Sequence, residues 1–132
     1  MCIRDRYMHR CAADAGWEAR IVSGVPSFCA VAARLGISLG EKDEEIHIIP
    51  AAYDMRESLG FHGTRIYMKS GKKLEELLRV LREAMQDKES RVHQDIYGIS
   101  NCGMENEQVY YGLDELEQAK GYLTTVIVKE GI

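Results

Sequence analysis

Residues 17–37 are the stretch whose residue types and spacing most suggest chemistry. An apolar run from Trp17 to Val22 stops at Ser23-Gly24, and a turn through Val25-Pro26 leads to Ser27. Phe28, Val31, Ala32 and Leu35 then recur at helical spacing, and Gly36 follows. The run predicts a strand, Ser27 a helix cap, and Gly36 a left-handed closing position. A strand that feeds a Gly/Pro turn and a capped helix can cradle a ligand, because the first helical N–H groups have no partner within the helix. An ordinary strand-to-helix turn carries the same pattern.

Other chemistry is quiet. The sequence holds no GxSxG, HExxH or P-loop, so no nucleophile, base and orienter can be assembled from spacing. The four cysteines, at 2, 11, 29 and 102, form no CxxC pair. That pattern fits neither a zinc site nor a secreted disulfide framework, and Cys29 reads as a small buried hydrophobe. The histidines at 9, 47, 62 and 93 show no i,i+4 pairing, so no metal is expected. Reduced thiols and the lack of a signal-type apolar stretch point to the cytoplasm. No apolar run approaches the ~20 residues of a membrane span. A net charge of −4, from 17 Lys and Arg against 21 Asp and Glu, argues against a basic nucleic-acid stripe. The acidic run Glu41–Glu45 reads as a solvated loop.

These residues need elements to position them. The pattern predicts a helix from Tyr7 to Ala15, ended by Gly16, and strands at 17–22, 46–49 and 64–69. The stretch 51–60 reads as helical or looped. A helix over 72–87 carries Leu74, Leu77, Leu78, Leu81 and Met85 as its apolar stripe, with Glu75, Arg79 and Glu83 on its wet side. Strands at about 92–99 and 107–112 join through Asn101-Cys102-Gly103, where Gly103 can take a positive φ. A short helix, 114–120, precedes a final strand, 122–128. The β-branched run Thr124–Val128 suits a central strand covered on both faces. The alternation predicts an α/β fold with a mixed sheet.

The wording of the 19–37 segment, Ala-Arg-Ile-Val-Ser-Gly-Val-Pro-Ser-Phe-Cys-Ala-Val-Ala-Ala-Arg-Leu-Gly-Ile, closely resembles the "VPGV(T/P)SF(C)AAAARLG" segment of the tetrapyrrole methylases. Further matches follow in order. Glu41–Pro50 resembles "EGDE…IIPA", and Ile66–Gly71 resembles "VLMKVG". Ser100–Val109 resembles "CGMEDE.V", and Tyr122–Lys129 resembles "YFSLLIVK". Within the family the wording is most similar to the precorrin-2 and cobalt-precorrin-2 C(20)-methyltransferases.

The resemblance implies two α/β domains with the methyl donor S-adenosylmethionine pinched between them. Residues 7–39 would be the C-terminal part of the first domain and 44–132 nearly the whole second. Residues 1–6, Met-Cys-Ile-Arg-Asp-Arg, fit neither the family nor an amphipathic pattern and read as a non-native artefact. The family's "GxGPGD" and "YGDPxxYST" segments have no counterpart in the sequence, so a fragment inactive alone is expected. The resemblance implies cofactor contacts at Pro26, Ser27, Met68 and Cys102, and more weakly at Thr124 and Thr125. It leaves the catalytic residues unassigned. Ser23 departs from the family's proline, which frees φ and restores an N–H. A basic rim for a polycarboxylate tetrapyrrole substrate is sought in Arg65, Lys69, Lys72 and Lys73, and a homodimer is implied for the full-length protein. Two rival readings stay open: a tetrapyrrole methylase acting at another position, and a non-catalytic α/β interaction module.

Overall fold

The computed structural model describes residues 3–50, 52–86 and 94–130. Helices α1 (Ile3–Asp14) and α2 (Ser27–Leu35) come first, followed by strands β1 (Ile46–Pro50) and β2 (Thr64–Met68). Then come α3 (Leu74–Gln86), β3 (Gln94–Ser100), β4 (Gln108–Tyr111), α4 (Gly112–Leu116) and β5 (Thr124–Glu130). The strands form a five-stranded mixed sheet in the order β1-β2-β5-β3-β4. β1 and β2 run parallel, from Ile46 opposite Thr64 to Pro50 opposite Met68. The other pairs are antiparallel. Pro50 lacks a ladder N–H and ends an edge strand, where that loss is tolerated.

β5 takes the centre because its β-branched residues are buried on both faces. Val126 and Val128 join α3 and α4 on one side, and Ile127 joins α2 on the other. On the first face Tyr67, Ile96, Val126 and Val128 pack beneath Leu74, Leu77, Leu78 and Leu81 of α3. Leu116 of α4 lies directly on Gly98, where a Cβ would overlap the leucine side chain. On the second face Ile66, Ile99 and Ile127 pack beneath Val31, Phe28 and Leu35 of α2.

Several expectations are corrected. Residues 17–22 form no strand, and Trp17, Ile21 and Val22 stand exposed. β propensity is realised only against a ladder partner, and no described residue pairs with this segment. Ser27 is the first helical residue rather than the cap. Pro26 (φ −62°, ψ 145°) holds the cap position, with no side-chain cap bond, and its carbonyl accepts from the Cys29 and Ala30 amides. Gly36 closes α2 with φ 67°, as its position predicts. Met85 is 51% exposed and leaves the α3 stripe, which the four leucines complete. A 3-10 turn, Ser70–Lys72, replaces the expected start of that helix, and α4 is shorter and earlier than 114–120. Residues 87, 92 and 93 of the expected helix and strand lie outside the described residues.

Candidate functional site

β1, β2 and β3 all end at one edge of the sheet, at Pro50, Met68 and Ser100, and β5 begins there at Thr124. The N-terminus of α2 arrives at the same edge, where Ser27 Oγ lies 3.9 Å from Met68 Sδ, across 41 residues of sequence. Met68 and Cys102 both pack, half-buried, against the cluster of Val31, Ile66, Ile99 and Ile127. Pro26 precedes Ser27 at the helix cap. Thr125, paired across Ile99, falls on the same face by strand alternation. Five of the six residues implied by resemblance therefore gather at one sheet end, on the face that α2 covers.

Thr124 points elsewhere. It is fully buried, its Oγ1 donates to the Gly121 carbonyl at 2.9 Å, and it shares a 2.9 Å bond with Ser100 Oγ. Ser70 Oγ donates to the Thr124 carbonyl at 2.9 Å. These hydroxyls tie together the loops after β2, after β3 and before β5. Sequence reading missed Ser70 and Ser100 because nothing in local spacing marks a bond across 54 or 24 residues. The same loops come close at Gly71, where a Cβ would overlap the Gly121 carbonyl oxygen. Between them Lys69 takes left-handed geometry (φ 55°, ψ 38°), a conformation costly for a residue with a Cβ.

The turn that carries Cys102 has two left-handed residues, Asn101 (φ 54°) and Gly103 (φ 79°). Its Gly103 amide donates to Glu107 Oε2 at 2.7 Å, and Arg34 Nε of α2 donates to Glu107 Oε1 at 2.6 Å. The Gly103 amide first, and then Arg34, hold the Glu107 carboxyl below the usual carboxylate range. Burial pushes the Cys102 thiol up, and the neighbouring Glu107 carboxylate adds to the shift. The expected basic rim is reduced. Arg65 is fully buried, because odd positions of β2 face α3, and its guanidinium lies beside the Tyr67 phenol. Lys72 sits over the Tyr122 ring and Lys73 reaches Glu76, which leaves exposed Lys69 as the cation beside Met68. Among the described residues no group of His, Cys, Asp and Glu is arranged to hold a metal ion. No described helix is long and apolar enough to cross a membrane.

A family model, Tetrapyrrole (Corrin/Porphyrin) Methylases, matches residues 3–117. The chain belongs to this family. Among curated tetrapyrrole methylases, a "Probable cobalt-precorrin-2 C(20)-methyltransferase" of Methanocaldococcus jannaschii is 32% identical over 126 residues, which cover 93% of the chain and 51% of that protein. The chain thus spans about half the length of the curated relative it matches. A solved cobalt precorrin-4 methyltransferase of cobalamin biosynthesis superposes with a TM-score of 0.74 at 13% identity, over 96% of the chain and 59% of that structure. The uroporphyrin-III C-methyltransferase of Thermus thermophilus, complexed with S-adenosylhomocysteine, superposes with a TM-score of 0.68 at 13% identity, over 97% and 60%. At these identities the solved structures speak to the fold. The α/β tetrapyrrole methylase fold read from the sequence is the fold observed.

Proposed function

We propose that the chain forms one wall of a cleft in which S-adenosylmethionine methylates a tetrapyrrole, with precorrin-2 or cobalt-precorrin-2 as the acceptor and C(20) as the position. The observation that carries this reading is the convergence of Pro26, Ser27, Met68, Cys102 and Thr125 at one sheet end. Ligands of open α/β sheets bind beyond the carboxyl ends of the parallel strands, and Met68 and Cys102 lie at or just past the carboxyl ends of β2 and β3. A thioether, a thiol and small hydroxyls, from Met68, Cys102, Ser27 and Thr125, suit a flat nucleoside and a thioether better than they suit a hydrolytic site.

When bound, the donor supplies a sulfonium methyl that an electron-rich carbon can take without a protein nucleophile. The chain's part is to orient and to exclude water. Met68 and Cys102 offer an apolar wall, the Pro26-Ser27 bend offers backbone groups, and Lys69 offers a cation to a substrate carboxylate. Thr124 braces the loops rather than touching ligand. An acidic concavity at the opposite sheet end, lined by Glu41, Glu44, Glu45, Asp95 and Glu130 with Lys129, suits a polycarboxylate poorly. The reading carries with it a homodimer for the full-length protein and a cytoplasmic setting.

The test joins the N-terminal half of the Methanocaldococcus jannaschii relative to the chain at Tyr7. The folded hybrid is expected to bind S-adenosylhomocysteine and to methylate precorrin-2 at C(20), whereas the 132-residue chain alone gives no turnover. A folded hybrid that binds no S-adenosylhomocysteine would overturn the methyltransferase reading, and methylation at another carbon would overturn the C(20) assignment.

A further inference from the structure

We propose that Glu107 is a positioning residue that sets the two sides of the cofactor wall relative to one another, by clamping the Cys102 turn to helix α2. The inference rests on the methyltransferase reading for its purpose, but its geometry stands without it. One carboxylate takes two short charge-assisted bonds, from the Gly103 amide at 2.7 Å and from Arg34 at 2.6 Å. The Cys102 thiol is a third neighbour. Arg34 lies in the last turn of α2, and the first turn of the same helix holds Ser27 against Met68. A rigid helix therefore connects the clamp at one end to the Pro26-Ser27 bend at the other.

The turn needs such a clamp. Cys102 packs half-buried against the Ile99 cluster, but Asn101 and Gly103 on either side both adopt positive φ and the Cβ space around Gly103 is open, so packing at that one residue does not by itself fix the turn. What fixes it is hydrogen bonding: the Asn101 amide to the Leu123 carbonyl, the Met104 amide to the Asn101 carbonyl, and the Gly103 amide to Glu107. Of these, the Glu107 bond is the one that reaches α2. Its carboxylate is largely shielded, with 17% of the side chain exposed, while Arg34 is 59% exposed. The pair is thus partly sheltered, and the backbone bond needs no long side chain to be ordered at its other end. The lowered carboxyl of Glu107 and the raised thiol of Cys102 both accord with an ionised carboxylate held against the turn.

Glu107→Ala and Glu107→Gln separate a clamp from bulk stability. The glutamine keeps an acceptor for the Gly103 amide and loses the charge. In the 132-residue chain, iodoacetamide labelling is read peptide by peptide, with Cys29 of α2 as the internal control. Glu107→Ala is expected to raise Cys102 labelling severalfold at constant Cys29 labelling, and Glu107→Gln to fall between it and the unchanged protein. In the folded hybrid, Glu107→Ala is expected to weaken S-adenosylhomocysteine about tenfold and Glu107→Gln less than threefold. Cys102 and Cys29 rising together, neither rising, or Glu107→Gln labelling as fast as Glu107→Ala (the result of lost charge on the thiol alone) would overturn the clamp. Normal binding by Glu107→Ala in a hybrid that binds ligand would overturn its role in the cofactor wall. A hybrid that never binds ligand counts against the methyltransferase reading, and the labelling still decides the clamp.

Discussion

Cys102 is half-buried against Ile99 and its neighbours, and the residue after it, Gly103, has nothing within 4 Å of a Cβ built on it. In the proposed cleft, a large side chain at this turn position would reach into the space a ligand would occupy. Cys102→Trp in the hybrid is therefore expected to fold normally by circular dichroism and to lose at least about tenfold in S-adenosylhomocysteine affinity, a change of ~1.4 kcal/mol. Ser27→Ala removes only a 3.9 Å hydroxyl–thioether contact, and calorimetric titration should show a loss of less than about 1 kcal/mol. Unchanged affinity for Cys102→Trp would take Cys102 out of the site. Residue types alone hinted at these two positions through a turn and a motif, but their meeting depends on contacts that no local pattern encodes. Arg65 shows the opposite failure. As a charged residue it reads as rim, and the two-residue alternation of β2 sends it beneath α3, beside Tyr67.

At the scale of elements, what was legible is what local periodicity determines. The leucine stripe of α3 and the β-branched run of β5 each specify their own burial, and both stand where the pattern put them. The 17–22 run has strand composition but finds no ladder partner among the described residues, so it forms no strand. Pro26 displaced Ser27 from the cap because its φ is fixed and its carbonyl already accepts the first helical amides, those of Cys29 and Ala30. The loops at the site end were the least legible, since their order comes from hydroxyls and glycines far apart in sequence. Gly71 is the sharpest case, for an added Cβ meets backbone at Gly121 rather than a yielding side chain. Gly71→Ala should lower stability by about 1–3 kcal/mol in urea unfolding. Gly24→Ala, with no atom within 4 Å of the new Cβ, should lie within about 0.5 kcal/mol of the unchanged protein. Equal effects at the two positions would mean that the loops after β2 and before β5 do not meet as described.

For the molecule as a whole, resemblance and packing draw different lines. By resemblance α2 ends a first domain at about residue 39, and a second runs over 44–132. By packing, α2 is the cover of the second domain's sheet: Val31 is buried on Ile66, Ile99 and Ile127, with Phe28 and Leu35 beside it. Polar ties cross the same line, from Arg34 to Glu107 and from Lys129 Nζ to the Ser38 carbonyl at 2.8 Å. We propose that the cooperative unit begins ahead of Ser27 and that the inter-domain line of the full-length protein falls in segment 17–25, which belongs to no helix or strand. That segment exposes Trp17, Ile21, Val22 and Val25, an apolar ribbon of the kind that promotes association. Removing α2 would expose three isoleucines, each forgoing roughly 1.5–3 kcal/mol of burial. Residues 24–132 are accordingly expected to elute as a monomer and to unfold in one cooperative transition. Residues 44–132 should self-associate or melt broadly, and the 132-residue chain, which keeps the exposed ribbon, should associate more than 24–132 at equal concentration. Size-exclusion chromatography with thermal unfolding of the three proteins makes the comparison. A sharp transition and monomeric elution for 44–132, matching those of 24–132, would place the boundary after α2 and make that helix a passenger on the sheet rather than part of its core.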